Sequence, residues 1–499
     1  MSARWRQGLW AGLLFWLAWW AVRVLVMSAS GAGLHVDEAQ YWWWSTELAW
    51  GYYSKPPMIA ALIHGSTALF GDGLVGVRAL GMACWLGASA LIWRWGVSVG
   101  ASRAGWVAAL LLAATPLSGI LGLVVTTDGP LVLCWVLIMW GTWTLWQDPP
   151  QGAAYAGRWA LVGLAFGLAL LSKYTALIAG ASWLLLWWWS PPQARGRWFA
   201  GLCLASAVGL LMLAPNLWWN GSNDWPTLQH TLDITVRAAE GDGVAWGRHL
   251  ASGAEFAVGQ LFLLGPAFAL LALWAWRRRH AVACTALDGQ VRRWVWAFAL
   301  PLLVVGLLQA LRAKAQVNWA APALVSVCWG LGWWVARVQV PRRAVVASVG
   351  LGVALSLVLA LGGDLRRAFM DGPLSERNQW DVWARMRGWH EALGQLKAAR
   401  DTQDRGLPVV VAGRAIITEV AYEWRDWPSK PWAWNDAGLV ESHFDWWRHL
   451  DAAAHPVVLF VGERVPPRLA RAYPHATRLA SAHSGRVRLN LWRLQARAP

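Results

Sequence analysis

His35-Val36-Asp37-Glu38-Ala39-Gln40-Tyr41-Trp42-Trp43-Trp44, followed by Trp50-Gly51-Tyr52-Tyr53-Ser54-Lys55-Pro56-Pro57, forms the first hydrophilic segment of the chain. It stands between apolar runs at residues 8 to 28 and 74 to 93, each long enough to cross about 30 Å of hydrocarbon. A charged, aromatic-rich connection between two such runs is the first extramembrane loop of a polytopic protein. It is also where chemistry at a membrane surface is to be sought.

The remainder of the chain agrees. Of its 499 residues 57% are hydrophobic and 14% charged, and the mean hydropathy is +0.36. These values exclude a water-soluble core as the main architecture. Further apolar segments at 104 to 124, 129 to 146, 158 to 171, 174 to 190, 198 to 219, 254 to 276, 294 to 311, 317 to 336 and 344 to 362 bring the expectation to about eleven transmembrane helices. From residue 363 the composition turns mixed and polar, with a helix expected near 376 to 400 and strand-like runs at Leu407 to Ala412, Pro456 to Val461 and Val487 to Trp492. The expected architecture is therefore an α-helical polytopic membrane domain over 1–362, with its first outward loop at 29–73, and a small α/β domain over 363–499. No metal or disulfide framework is read from the five cysteines, four of which fall inside apolar runs.

Basic residues orient the bundle. With the N-terminus inside, one set of loops collects Arg4, Arg6, Arg94, Arg103, Arg158, Arg195, Arg197, Arg277, Arg278, Arg279, Arg292, Arg293, Arg337, Arg342 and Arg343, whereas the other holds Lys55, Arg78, Lys173, Arg237, Arg248, Arg312 and Lys314. The first loop and the tail then face outward. Arginines spread over short loops account for much of the net charge of +16 without a nucleic-acid partner. The first run, with Arg4 and Arg6 before it and Arg23 within it, is read as a retained span rather than a cleaved signal. The 45 tryptophans are read mainly as interfacial anchors and compositional bias.

If residues 35 to 46 are helical, Asp37 and Tyr41 share a face and Glu38 points about 100° away. Asp37 then has two compatible readings, an N-cap completed by Gln40 in a capping box and a carboxylate that polarises an attacking hydroxyl. Trp42, Trp43, Trp44, Trp50, Tyr52 and Tyr53 are expected to lie flat in the headgroup region, as floor or rim of a pocket open to lipid. Lys55 follows, and further outward turns carry Asp128 before Pro130, Lys173, and Arg312, Lys314 and Asn318. The plainer reading of Asp128 is again an N-cap. Together these groups suit sugar transfer from a polyprenyl phosphate. Positive charge builds at the anomeric carbon and negative charge on the departing phosphate, so a carboxylate is needed near the nucleophile and cations near the leaving group.

Beyond this reading, the runs Asp37-Glu38-Ala39-Gln40-Tyr41-Trp42, Trp50-Gly51-Tyr52-Tyr53-Ser54-Lys55-Pro56-Pro57, Phe70-Gly71-Asp72 with Val77-Arg78, Thr126-Thr127-Asp128-Gly129-Pro130-Leu131, Leu171-Ser172-Lys173-Tyr174-Thr175-Ala176, Pro215-Asn216 with Asn223-Asp224-Trp225, and Asn318-Trp319-Ala320-Ala321-Pro322 resemble, in order, the dolichyl-phosphate-mannose protein mannosyltransferase superfamily, glycosyltransferase family 39. Its bacterial relatives include the aminoarabinose transferase that modifies lipid A. The resemblance spans roughly the first 330 residues. It implies an inverting GT-C fold in a bacterial inner membrane, N-terminus cytoplasmic and tail domain periplasmic. An undecaprenyl-phosphate-linked sugar would be the donor, a periplasmic lipid, glycan or protein the acceptor, and no cofactor would be required. It implies that Asp37 is the catalytic carboxylate, with Glu38 bracing the loop, and that Lys55 contacts the lipid phosphate. Tyr41, Tyr53, Asp128, Lys173, Arg312, Lys314 and Asn318 complete the candidate substrate-binding set. Gln40 departs from the aminoarabinose transferase, which has Arg three residues after its catalytic Asp.

Two other classes fit parts of the pattern. A transporter or flippase of lipid-linked sugars would use the polar groups to line a path, but it favours broken helices and inverted repeats, neither of which is read here. A divalent metal site would need Asp37, Glu38, His35 and His64, a weak ligand pattern.

Overall fold

The computed structural model describes residues 3–29, 31–190, 192–235, 246–313, 315–369, 381–435 and 442–497. Lys314, Arg237 and the first five residues of the tail helix expected from 376 lie outside the described residues. The helices are α1 (Ala3–Ala29), α2 (Val36–Thr46), α3 (Met58–Phe70), α4 (Leu74–Ser98), α5 (Ser102–Ala114), α6 (Pro116–Leu121), α7 (Asp128–Gln147), α8 (Ala153–Ser172), α9 (Ile178–Trp189), α10 (Pro192–Gly221), α11 (Pro226–Thr235), α12 (Trp246–Arg277), α13 (Ala286–Arg312), α14 (Ala321–Arg337), α15 (Arg342–Phe369), α16 (Trp389–Asp401), α17 (Arg414–Glu423), α18 (His443–Trp447) and α19 (Pro467–Ala472). They divide into two compact units, one of Met1–Val24, Lys55–Leu62 and Arg78–Val358, the other of Leu25–Ser54, Ile63–Val77 and Leu359–Pro499.

The first unit is a helical bundle. Among the described residues, 8 helices are long and apolar enough to cross a membrane, with shorter apolar helices at Trp16–Ser28, Met58–Phe70 and Ser102–Ala114. Each apolar segment expected from the sequence is helical, but that at 104 to 124 is split, because Thr115 turns extended (ψ 144) and caps α6 ahead of Pro116. A second break was not expected: α12 is interrupted at Gly265 (φ 71), followed by Pro266, which has no N–H to continue the ladder. The two breaks meet, since a Cβ on Gly265 would lie 2.5 Å from Pro116 Cδ. Arg23 is buried, and its guanidinium donates to the Ser118 carbonyl (2.8 Å), Ser118 Oγ (2.7 Å) and the Gly122 carbonyl (3.3 Å), satisfying carbonyls at the end of α6.

Tryptophan does more here than anchor an interface. Eight of the largest fully buried side chains are tryptophans, among them Trp95 and Trp329, stacked at 3.9 Å, and Trp294, edge-on to Trp143 at 5.2 Å. Such pairs contribute about 0.5–1.5 kcal/mol beyond burial. Small residues allow the close approaches between these helices. A Cβ on Gly332 of α14 would meet the Ala104 carbonyl of α5 at 2.7 Å.

The second unit carries a five-stranded sheet, with β1 (Val409–Ala412), β2 (Trp432–Trp434), β3 (Val457–Gly462), β4 (His475–Ser484) and β5 (Val487–Gln495) in the order β2-β1-β3-β5-β4. β1 pairs in parallel with β2 and β3, and β5 pairs antiparallel with β3 and β4. The fold class is thus a helical membrane protein with a small C-terminal α/β sheet domain. The expected tail helix begins only at Trp389, after a 3-10 turn at Ala384–Met386 and a left-handed Gly388 (φ 87).

The loop aromatics do not lie flat as a surface layer. Trp42, Trp43 and Trp44 are buried, Trp42 edge-on to Tyr422 of α17 (5.1 Å) and Trp43 edge-on to Phe444 of α18 (4.8 Å). Trp44 stacks on Tyr52 at 4.6 Å, and only Trp50 of that group is exposed. Three consecutive indoles on a helix cannot share one face. The C-terminal segments supply the partners that bury all three. Of the tail tryptophans, Trp383 and Trp424 are core, whereas Trp432 and Trp434 are half-buried.

Candidate active site

The start of α2 is built by its neighbours rather than by Asp37. His35 is the N-cap (φ −76, ψ 150); its Nδ1 accepts from the Asp37 N–H (3.2 Å), and the Glu38 carboxylate accepts from the His35 N–H (2.9 Å). This corrects the capping box expected from Asp37 and Gln40. Glu38 is buried and tied to the helix start, while the Asp37 side chain remains 44% exposed. Asp37 Oδ1 accepts from Arg414 Nη2, and Arg414 Nε donates to Gln40 Oε1 at 2.5 Å. Arg414 is the first residue of α17, where the helix dipole disfavours a cation, so the Asp37 carboxylate offsets an unfavourable placement. Sequence reasoning missed Arg414.

Farther along α2, Tyr41 is buried against Trp44 (5.2 Å), and the Tyr53 N–H donates to His443 Nδ1 at 3.5 Å. The Tyr52 hydroxyl lies 3.0 Å from the Trp44 carbonyl and accepts the Ala49 N–H at 3.0 Å, and burial pushes its pKa up to about 12. It serves as a structural hydrogen-bonding group. Trp42 Nε1 donates to Asp72 Oδ1 (2.8 Å), joining two of the motifs that carried the resemblance. His64 is turned to the Ser45 carbonyl (2.9 Å) near the far end of α2, away from His35. Among the described residues no three His, Cys, Asp or Glu side chains gather where a metal ion would be held.

In the helical bundle a second polar group forms. Asp128, 2% exposed, accepts from Lys173 Nζ (2.8 Å) and Asn318 Nδ2 (2.6 Å). It is the first residue of α7, not its cap; Thr127 holds the cap position, one residue earlier, and this leaves the Asp128 carboxylate free to pair. Tyr174, the residue after Lys173, donates to Asn216 Oδ1 (2.6 Å), and Asn220 Oδ1 accepts the Thr227 N–H (3.3 Å). Asp224 and Trp225 close this region in left-handed backbone (φ 61 and 55), a strained conformation for residues other than glycine. Lys55 is half-buried, and Arg312 ends α13 exposed to its surroundings.

Residues 54–219 match the family model described as dolichyl-phosphate-mannose-protein mannosyltransferase. The lipid A galacturonosyltransferase RgtD of Rhizobium johnstonii is 31% identical over 458 residues, covering 90% of this chain and 90% of that protein. The crystal structure of ArnT from Cupriavidus metallidurans in the apo state has a TM-score of 0.66 at 13% identity, covering 96% of this chain and 98% of that one, a likeness of fold. Bundle, sheet domain and relatives together define a membrane glycosyltransferase of the GT-C type, a multipass protein of a bacterial inner membrane. The chain belongs to the dolichyl-phosphate-mannose-protein mannosyltransferase family. The similarity to RgtD extends well past the first 330 residues, where the sequence motifs end.

Proposed function

We propose that the protein transfers a sugar from an undecaprenyl-phosphate carrier to a periplasmic acceptor, with Asp37 as general base and inversion at the anomeric carbon. The acceptor oxygen attacks C1 as its proton passes to the Asp37 carboxylate; the bond from C1 to the phosphate oxygen breaks, and its electron pair leaves with the phosphate. The observation that carries this reading is the state of Asp37. His35 and Glu38 relieve it of capping, and it stands half-exposed with one oxygen on Arg414. Glu38 acts as a positioning residue.

On this reading Lys55 and Arg312 face the lipid phosphate, and the Asp128–Lys173–Asn318 group fixes the loops that present it. The tail domain lies on the periplasmic side, as the arginine asymmetry supports. Because RgtD is named a lipid A galacturonosyltransferase, a uronic acid donor and a lipid-anchored saccharide acceptor are the first pair to offer.

The test is transfer of labelled sugar from undecaprenyl phosphate to such an acceptor by purified protein in detergent. Transfer needs no membrane barrier, whereas flipping does, so activity in micelles separates the enzyme from a flippase. Asp37→Asn is expected to abolish transfer and leave the thermal melt unchanged; normal turnover in that variant refutes the role of Asp37.

A further inference from the structure

Between residues 464 and 497 the sequence holds eight arginines and no Asp or Glu, and all eight side chains are exposed. Elsewhere in the second unit arginines are matched by carboxylates, Arg387 by Asp364 and Asp381, Arg400 by Asp401 and Asp426, and Arg414 by Asp37. The terminal stretch has no carboxylate of its own to do this; Glu463 immediately precedes it.

Strand pairing sorts these side chains by face. β4 and β5 are antiparallel, so directly opposed residues share a face, as do residues two apart on one strand. Ala482, Leu489 and Leu491 are buried on the side that packs on α16. The other side carries Arg488 opposite His483, Asn490 opposite Ser481 and Trp492 opposite Arg478. Of these, Arg478, Ser481, His483 and Arg488 are exposed and the other two half-buried. Ser481 Oγ donates to Asn490 Oδ1 (2.7 Å), and Asn490 Nδ2 donates to the Glu463 carbonyl (2.8 Å), which brings the loop bearing Arg464 to the same edge. The Arg478 guanidinium lies 5.9 Å from the Trp492 ring centroid. Four residues of strand span about 13 Å. Arg488 and Arg478 thus stand at the ends of a row with hydroxyl and amide groups between them.

The composition of the face narrows its partner. Exposed guanidiniums fork onto phosphate or carboxylate oxygens. A phosphate monoester, with a charge of about −1.5 to −2 at pH 7, holds them better than a single carboxylate. Among the described residues no large apolar side chain after Trp447 is exposed. A protein interface or a surface lying in the acyl boundary of a bilayer would offer one. A polar row with charge at its ends suits a phosphorylated sugar, whose hydroxyls meet Ser481 and Asn490.

We propose that this open face of the β4–β5 hairpin binds the phosphate-bearing saccharide headgroup of a glycolipid acceptor. The acceptor assignment rests on the transferase reading, but the saccharide binding does not. The test is saturation-transfer NMR on the full-length protein in neutral detergent, with trehalose 6-phosphate and trehalose as probes. The phosphorylated sugar is expected to bind in the millimolar range, more weakly as salt rises, and trehalose at least about tenfold more weakly. Arg478→Gln with Arg488→Gln is expected to weaken the phosphorylated probe at least about tenfold, as is Ser481→Glu, which adds a carboxylate to the row and removes no arginine. Arg292→Gln with Arg293→Gln, an equal loss of charge at exposed positions of α13, is expected to leave binding unchanged, as is Asp37→Asn. In the transfer assay the hairpin pair is expected to raise the KM for a phosphorylated glycolipid acceptor at least about tenfold at unchanged kcat. Hydrogen exchange of residues 475–495 is expected to be the same in nanodiscs with and without phosphatidylglycerol. Absence of phosphorylated-probe binding to folded protein, equal binding of trehalose, or equal effects of the two arginine pairs overturns the proposal. Protection by the anionic lipid assigns the face to the bilayer instead, and an unchanged KM beside lost probe binding overturns the acceptor assignment.

Discussion

Arg414→Ala removes the guanidinium that holds Asp37 and Gln40, 377 and 374 residues away in the chain. With the two side chains 42% and 44% exposed, solvent screens the pair, and its share of folding stability is about 0.5–1 kcal/mol. On the role proposed for Asp37, its catalytic weight is larger. A base displaced by about 1 Å costs up to roughly 100-fold in rate, so kcat is expected to fall about 10- to 100-fold, or about 1.4–2.7 kcal/mol in barrier. The assay is initial-rate transfer at saturating lipid-linked donor, beside a thermal melt that moves little. The rescue is specific: in Arg414→Ala combined with Gln40→Arg, a guanidinium three residues from Asp37 on α2 returns to the same carboxylate and restores most of the rate. A kcat within twofold of native in Arg414→Ala, a faster one, or a double variant no better than the single refutes the reasoning.

Two further outcomes concern stability. Lys173→Met leaves the Asp128 carboxylate, 2% exposed, without its cation, and is expected to cost about 3 kcal/mol, whereas the double variant with Asp128→Asn recovers most of it; single-variant melts equal to native count against the pair. Because His443 falls from 6.5 to about 3 on folding, the unfolded chain binds the extra proton between those values; its contribution is intact above about pH 6.5 and is lost as pH falls toward 3, by about 1 kcal/mol at pH 5.5. Melts of the native protein and of His443→Phe between pH 7.5 and 5.5 check this, the variant giving the flatter profile.

The bundle was legible because apolar length is a property of each segment by itself. Its breaks were less so. Leu264-Gly265-Pro266 carried a signal for the second, but the surrounding hydropathy masked it. In the tail, β1, β3 and β5 were visible as apolar runs, whereas β4 has mostly exposed residues and no clean alternation. At the site, the Asp-Glu pair pointed to the helix start, and the error lay in which residue caps it. Aspartate is the better intrinsic cap, and a histidine with Glu38 three residues on took the place. Arg414 could not be read from its own surroundings. The one hint was Gln40, standing where the aminoarabinose transferase has Arg, which leaves a guanidinium to be supplied from elsewhere. Asp128 turned on a shift of one residue in the helix boundary, below what sequence patterns resolve.

The partners that bury Trp42 and Trp43 are Tyr422 and Phe444, near the other end of the polypeptide. During synthesis the helix bearing Asp37 therefore emerges long before the groups that pack against it. Its aromatic face is completed, and its carboxylate paired, only after residue 444 has been made. On the role proposed for Asp37, synthesis thus acts as a timer: a truncated chain has its acid but not the frame that aims it.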